Sequence, residues 1–482
     1  MKRGNCMRVH CPREMNRRGF LVASGTAAIA AQLQVFDLAS TLLANEVPQQ
    51  RNGPLVSVGF ALREQGGRWY PAGTTEMLKD IRALYEKILS DAADELGVRL
   101  DIMPELMKDG SAYVERIKKT LPDGQILMAL DFGQWKPVFK ALENRGEIPT
   151  IVYANLSFHR GPDRRELERY AGESGIYFGA TADVNWLKYA MRMHKTLWRV
   201  KHRPMRILTC PGDGYDDAFK QVAESEEMRA IADFYVKAST EVIEPSKTDI
   251  LNAVKHYLTI RRLIHEGGYD GVRVHGKLCL DGGWGCLALS RLLDEGIPAA
   301  CENDLTAAES QFLTLSLFDL PGLMGNPTAD TVNNWYIVSH CTSATRLEGI
   351  HKDYRAPFLI RDLHNTGGGV CPMVAWPKGR PATVMVDAKR IGTGHVRANT
   401  DDMAQPPSGG CRTSVAFSLD GITDALRAPH GRHPWCVLTD IKRPYAAYCK
   451  LAGIKLTDLA GDQIAMSSQF RDHDWGDGVV IV

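Results

Sequence analysis

Between Leu55 and Ala154, short apolar runs alternate with segments whose apolar residues recur at helical spacing. A helix between two strands returns the chain in the same direction, so repeated strand–helix–strand units build a parallel sheet. This region is therefore predicted to form a parallel, doubly wound α/β sheet. Its predicted strands and helices, in order, are Leu55–Leu62, Thr75–Leu96, Arg99–Met103, Ala112–Thr120, Gln125–Asp131, Trp135–Asn144 and Thr150–Ala154.

A second region of the same kind begins near Ser174, after the polar segment His159–Glu173. Neither region carries a GxGxxG or GxxxxGKS/T motif after its first strand, so no dinucleotide or nucleotide site is indicated. The predicted strands of the second region are Met205–Thr209, Phe234–Lys237, Gly271–Val274 and Ala299–Cys301. Its predicted helices are Asp216–Phe234, Lys247–Glu266 and Gly285–Glu295.

The pattern changes after about residue 325, where short strand-like runs are separated by Gly, Pro and Asn. Such punctuation favours a mostly antiparallel β domain, either a sandwich or a barrel. The runs are Val338, Phe358–Ile360, Val370–Val374, Thr383–Asp387, Thr413–Phe417 and Trp435–Thr439, with a helix at Pro444–Ala452. We therefore predict an α/β protein with two consecutive doubly wound domains, 46–173 and 174–325, and a β-rich C-terminal domain, 326–482.

Composition excludes some partners. With 482 residues the chain is too long for one ordinary domain, and 44% hydrophobic with 24% charged residues is typical of a globular protein. The 58 basic and 57 acidic residues leave a net charge of +1. This balance gives no reason to expect nucleic acid or an anionic membrane surface as a partner.

The first 45 residues resemble a twin-arginine export signal. A paired arginine followed by Phe-Leu occurs in Asn16–Leu21, and a weakly apolar, small-residue segment follows at Val22–Leu33. That segment is too short for a stable membrane span. Cleavage after Ala30 or after Ala44 fits equally, and a soluble basic amphipathic helix is the alternative interpretation. Export would place the protein in the periplasm or outside the cell.

The cysteines do not form a recognisable motif. After Cys6 and Cys11, those that remain of the 11 are odd in number and scattered, and no CxxC pair occurs among them. Neither a zinc ribbon nor a disulfide framework is indicated, so they are predicted to be buried thiols.

Two acids, Glu302 and Asp304, follow the short apolar run Ile297–Cys301, which is predicted to be a buried strand. In open α/β sheets, ligands bind beyond the carboxyl ends of the strands, where acidic groups can hold a metal or move a proton. The alternative is that Asp304 only caps a helix beginning at Leu305, with Glu302 solvated beside it.

Five segments between residues 269 and 454 occur in an order and spacing that resemble the L-fucose/L-arabinose isomerase-like superfamily. They are Tyr269–Val272 leading to Cys279 and Gly285–Gly296; Ala300–Asp304; Gly325–Asp330 running into Ile337–Cys341; Cys411–Thr413; and His433 followed by Thr439–Asp440 and Ala452–Ile454. Over 55–260 the resemblance is architectural only. It implies two Rossmann-like domains followed by a β-rich domain, and a symmetric homo-oligomer.

The resemblance implies a ketol isomerase that interconverts an aldose and a ketose with a divalent metal, commonly Mn²⁺, held by two acids and a histidine. These metal positions fall on Glu302, Asn326 and His433, with His430 as the near alternative. The reaction moves a proton between the carbon next to a carbonyl and its neighbour. A metal polarises both oxygens and stabilises the ene-diolate, and a carboxylate, here Glu302, acts as base and then acid.

Asn326 departs from the family pattern, which has Gly-Asp-Pro where this chain has Gly-Asn-Pro. Asparagine can offer a carbonyl oxygen to a metal but cannot accept a proton in catalysis. Asp330 or Asp304 could supply the missing acid. A catalytically degenerate protein, or one acting on another sugar-like substrate, is an open alternative.

Further pocket candidates each have a structural alternative. His340 could orient substrate hydroxyls or be a satisfied strand-end histidine; His364 could contact a ligand or belong to a mobile glycine-rich loop; Trp284 could stack on a sugar face or simply pack. Arg412 is predicted to form a structural ion pair. The competing functional class is an exported, metal-free sugar-binding protein, since two lobes with a cleft also suit such a binder.

Overall fold

The computed structural model describes residues 53–66, 73–131, 134–154, 164–212, 214–275, 285–403 and 410–461, which belong to one compact unit. The predicted export signal lies outside the described residues. The helices are α1 (Thr75–Leu96), α2 (Ser111–Thr120), α3 (Trp135–Glu143), α4 (Arg164–Ala171), α5 (Trp186–His202), α6 (Tyr215–Gln221), α7 (Glu226–Ala238), α8 (Lys247–Gly267), α9 (Gly285–Asp294), α10 (Leu305–Phe318) and α11 (Lys442–Ala452).

The strands are short, and most follow the predicted positions. They are β1 (Leu55–Ala61), β2 (Arg99–Ile102), β3 (Gly124–Ala129), β4 (Thr150–Ala154), β5 (Ile176–Ala180), β6 (Ile207–Cys210), β7 (Glu241–Val242), β8 (Gly271–Val274), β9 (Ala299–Ala300), β10 (Leu323–Met324), β11 (Asn326–Asp330), β12 (Trp335–His340), β13 (Phe358–Arg361), β14 (Cys371–Val374), β15 (Pro381–Asp387), β16 (Arg390–Asn399), β17 (Thr413–Leu419), β18 (Trp435–Val437) and β19 (Thr457–Asp458).

The N-terminal strands form a five-stranded sheet in the order β2-β1-β3-β4-β5, and every pair in it is parallel. Side chains of α1 and α5 pack on one face of this sheet, and side chains of α2 and α3 pack on the other. Burial on both faces explains why β3 and β4 are buried along their whole length. The predicted parallel sheet is confirmed, and β5, which begins just after Ser174, completes it.

A smaller parallel sheet follows in the order β6-β8-β9. The predicted strand at Phe234–Lys237 is wrong, because these residues lie in the last part of α7. A run of only three apolar residues followed by lysine cannot be assigned to strand or helix by periodicity alone. The deciding signal is at the other end of the helix, where the Ser225 side chain accepts a hydrogen bond from the backbone N–H of Met228 at 3.1 Å.

Eight of the C-terminal strands form one sheet in the order β10-β18-β15-β16-β17-β12-β11, with β19 beside β16, whereas β13 and β14 form a separate three-stranded sheet with β7. All pairs of the eight-stranded sheet are antiparallel except β16–β19, which confirms a mostly antiparallel region. The two ends of the order, β10 and β11, are separated in sequence by Gly325 alone. The sheet must therefore curl into a half-barrel whose ends meet at this residue.

Gly325 marks the closing seam of the half-barrel. Its backbone N–H donates to the carbonyl of Pro434, just before β18, at 3.1 Å. A Cβ at this position would lie only 2.7 Å from the backbone oxygen of Ser339, so the close approach of this residue to β12 requires glycine. Among the described helices, none has the length and apolar character needed to cross a bilayer.

Candidate metal centre

Three side chains that could hold one metal ion meet at this seam. Glu302 follows β9, His340 is the last residue of β12, and His433 lies two residues before β18. Glu302 and Asn303 both have left-handed backbone conformations, with φ of 50° and 60°, which is unfavourable for residues with a side chain. The turn is held by hydrogen bonds from the Asn303 N–H to Val274 and from Arg432 to the Glu302 carbonyl, each 2.9 Å.

The distances within the group suit a single cation. Oε1 of Glu302 lies 3.6 Å from Nε2 of His340, and Oε2 lies 3.3 Å from Nε2 of His433. Ligand atoms bound about 2.1 Å from one metal are roughly 3.0–3.4 Å apart at octahedral or tetrahedral angles. The imidazole side chains are only 5% and 1% exposed, whereas the Glu302 side chain is 37% exposed, so the group opens to solvent on the carboxylate side.

Each imidazole is fixed through its other nitrogen. Nδ1 of His433 donates to Oδ2 of Asp304 at 2.8 Å, and Nδ1 of His340 lies 2.9 Å from the Thr342 hydroxyl. Both Nε2 atoms are buried and make no hydrogen bond to the described part of the chain. A carboxylate that holds Nδ1–H leaves the Nε2 lone pair free for a metal. Two unpaired ring nitrogens aimed at one carboxylate therefore fit a bound cation.

The electrostatics of the group keep Glu302 ionised. The imidazoles of His340 and His433 beside it hold the pKa of the Glu302 carboxyl well below its usual range. Burial disfavours the protonated form of His433, but the hydrogen bond to Asp304 and the negative charges of Asp304 and Glu302 outweigh burial, and the pKa of His433 is raised. An ionised carboxylate is the form that a divalent ion requires as a ligand.

Asp304 has two structural tasks. Its Oδ1 accepts a hydrogen bond from the backbone N–H of Ala307 at 3.0 Å, which caps α10, while its Oδ2 holds His433. Burial opposes ionisation, but these bonds from His433 and Ala307 lower its pKa. The predicted cap is confirmed for Asp304, and its carboxylate is engaged with His433 rather than open to a substrate.

Asn326 and Asp330 are the remaining candidates for the second acid position of the metal site. Asn326 begins β11 opposite Ser339, the neighbour of His340. Asp330 lies at the far end of β11, about 13 Å along the strand at 3.3 Å per residue. Its carboxylate accepts hydrogen bonds from the backbone N–H groups of Val332 and Asn333, both 2.9 Å, and so closes the β11–β12 turn. Asp330 is therefore placed to shape the turn and not to replace Asn326.

The contacts of His430 and His364 show that neither belongs to the group of Glu302, His340 and His433. His430 stacks on Tyr336, with ring centroids 5.5 Å apart, and its Nε2 lies 3.2 Å from the carbonyl of Leu426, so His433 is the histidine of the group. His364 belongs to a separate group with Cys341 and Cys411. Trp284 lies outside the described residues.

Arg412 forms the predicted structural ion pair. Its guanidinium contacts the carboxylate of Asp362, and both side chains are buried. A role as a cation next to substrate is therefore not supported for this residue.

Sequence reasoning identified Glu302 and His433 but assigned His340 to substrate binding and not to the metal. Nothing in the run Ile337–Cys341 distinguishes a strand-end histidine that binds metal from one that packs. The support of His433 by Asp304 was equally invisible, because the two residues are 129 positions apart in the chain.

No protein-family model matches this chain, and no curated protein matches it. The resemblance to the L-fucose/L-arabinose isomerase-like superfamily therefore stays a prediction from the motifs.

Proposed function

We propose that this protein is an exported, metal-dependent aldose–ketose isomerase that acts on a monosaccharide through an ene-diolate. The observation that carries the proposal is the convergence of Glu302, His340 and His433, with two buried Nε2 atoms that lack a hydrogen-bond partner in the described chain. The motif order that resembles the isomerase superfamily supports it. The export part is supported by the Arg17-Arg18 pair in the sequence.

The donor set fits a first-row divalent ion. One carboxylate and two imidazoles are ligands that Mn²⁺ and its neighbours accept, and the resemblance implies Mn²⁺ in particular. Glu302, His340 and His433 would hold the ion. When bound, it would polarise the carbonyl and adjacent hydroxyl of the sugar and stabilise the negative charge that develops on them.

The chain itself supplies positioning and proton transfer. Asp304 keeps His433 in the Nδ1–H tautomer, so its Nε2 points towards Glu302. Glu302 is the half-buried carboxylate of the group that faces solvent, and it is ionised. In the proposed reaction it takes the proton from one sugar carbon and returns it to the next, a step worth about 10²–10⁴-fold in rate.

A second candidate is a sugar-binding or catalytically degenerate relative, and one observation favours it. Asn326 occupies the position where the resemblance implies a second acid, which removes a negative charge and a proton acceptor. Such a protein would bind a sugar without exchanging its protons.

Proton exchange separates the two. The Mn²⁺-loaded protein, incubated with a panel of aldoses in deuterated water, should introduce deuterium at the carbon next to the carbonyl of one of them. Glu302→Gln should abolish uptake, while Glu309→Gln, an exposed acid on α10, should leave it unchanged. A wild-type protein that binds a sugar but exchanges nothing would support the binder and refute the isomerase.

A further inference from the structure

A second group of ligand-type side chains surrounds Cys341, the residue after His340. The thiols of Cys286, Cys371 and Cys411 and the imidazole of His364 surround the Cys341 thiol and lower its pKa. All four cysteines are buried and none forms a disulfide. Cys286 lies in the first turn of α9, Cys341 directly follows β12, Cys371 begins β14, and Cys411 lies two residues before β17. The fold therefore collects thiols that are scattered in the sequence.

Three members of this group have the spacing of metal ligands. The Sγ atoms of Cys341 and Cys411 and a ring nitrogen of His364 all lie within 4.8 Å of one another. Sγ of Cys411 is 3.7 Å from Nε2 of His364. A tetrahedral zinc ion with Zn–S of about 2.3 Å and Zn–N of about 2.0–2.1 Å separates these two atoms by about 3.6 Å. The observed distance matches that geometry.

The surroundings hold these ligands in place. The backbone N–H of Arg412 donates to Sγ of Cys341 at 3.3 Å, a bond of the kind that supports metal-bound thiolates. The Arg412 guanidinium donates to the carbonyl of Asp362 at 2.7 Å and to Oδ1 of Asn365 at 2.9 Å. One residue therefore ties the loop that carries His364 to the strand that follows Cys411.

The loop that carries His364 has an unfavourable backbone. His364 and Asn365 both lie in the left-handed region, with φ of 52° and 60°. Consecutive residues with side chains adopt this conformation only where other interactions over-determine it, and such positions cluster at ligand sites. A coordination bond from His364 is an interaction of that kind.

We propose that Cys341, Cys411 and His364 bind a zinc ion, with Cys286 or Cys371 as the fourth ligand. Soft thiolates with one imidazole select zinc over manganese or magnesium, so this site differs in metal from the seam. Because Cys341 follows His340 directly, the ion fixes the end of β12 and with it the position of His340. The proposal does not depend on the isomerase assignment.

Cobalt substitution tests the site in the full-length protein. Co²⁺ bound by thiolates gives charge-transfer absorption in the near ultraviolet, whereas Co²⁺ bound at the seam by Glu302 and imidazoles does not. The wild type and Glu302→Gln should both show these bands at the intensity of one thiolate-bound Co²⁺ per chain, and Cys411→Ser should lose them. Cys436→Ser, which changes a buried thiol on β18, is the matched control and should retain them.

A second measurement covers variants that fail to fold. Wild-type protein, dialysed against a weak chelator, should retain one zinc ion per chain and release it as its thiols are titrated with a mercurial. Retention of no zinc, together with free thiols that titrate without metal release, would overturn the proposal. A Cys341–Cys411 disulfide found by mass spectrometry, or iron with acid-labile sulfide on these thiols, would also overturn it.

Discussion

At the scale of single residues, the two carboxylate oxygens of Asp304 have separate structural roles. One caps α10 and the other holds His433. Asparagine caps helices about as well as aspartate, but it lacks the charge that stabilises the Nδ1–H tautomer of histidine. We therefore expect Asp304→Asn to unfold at nearly the wild-type urea concentration while its affinity for Mn²⁺ falls about 10–100-fold.

Alanine at the same position is the matched comparison. Asp304→Ala should lose the metal affinity and, in addition, about 1 kcal/mol of unfolding free energy, because the cap is removed. If Asp304→Asn binds Mn²⁺ as tightly as the wild type, Asp304 is only a helix cap and does not support His433 as a metal ligand.

Asn326 offers a substitution that should improve the site. It begins β11 opposite the neighbour of His340, at the position where the resemblance implies an acid. The number of charged ligands tunes the affinity of a divalent-ion site, so Asn326→Asp should tighten Mn²⁺ binding by about tenfold. Equilibrium dialysis of both proteins measures this. Equal affinities would mean that position 326 does not face the ion.

At the scale of elements, α5 carries a buried histidine with a consequence for stability. His194 is 2% exposed, and burial lowers its pKa from 6.5 to about 4. Below pH 6.5 the unfolded chain takes up a proton that the folded chain refuses. The contribution of neutral His194 to the free energy of unfolding is therefore fully present above neutral pH. It falls as the pH drops from 6.5 towards 4, and the loss from this residue is about 2 kcal/mol at pH 5.

Urea unfolding at pH 7.5 and pH 5 measures this loss. His194→Gln should unfold with a smaller difference between the two pH values, although His256, with a pKa also lowered by burial to about 4, contributes a further part. His202→Gln, at the exposed end of α5, should keep the wild-type difference. An unchanged pH dependence in His194→Gln would show that His194 is accessible to protons in the folded state.

Elements with a clear period were predictable from the sequence, and those with a mixed pattern were not. The strands β1, β3 and β4 are mostly apolar, as two-sided burial requires, and they were found. The strand β16 contains Gly392, Gly394 and His395 and has low intrinsic strand propensity, so it was missed. It forms because β15 and β17 pair with it on both sides.

At the scale of the whole molecule, the candidate metal centre depends on how the half-barrel closes. Glu302 comes from the end of the small parallel sheet, while His340 and His433 come from the curled antiparallel sheet. Motif order could point to Glu302 and His433, but no local pattern could place His340 beside them. That information lies in the strand order, which brings β12 and β18 together across Gly325.

The central claim is that Glu302, His340 and His433 share one divalent ion. Equilibrium dialysis against Mn²⁺, followed by elemental analysis, tests it most directly, because a thiolate-rich site does not favour this metal. The account predicts one Mn²⁺ per chain for the wild type and for Glu309→Gln, and a large loss of binding for Glu302→Gln and His433→Gln. A wild-type protein that binds no divalent ion, or variants that bind it as tightly as the wild type, would contradict the account.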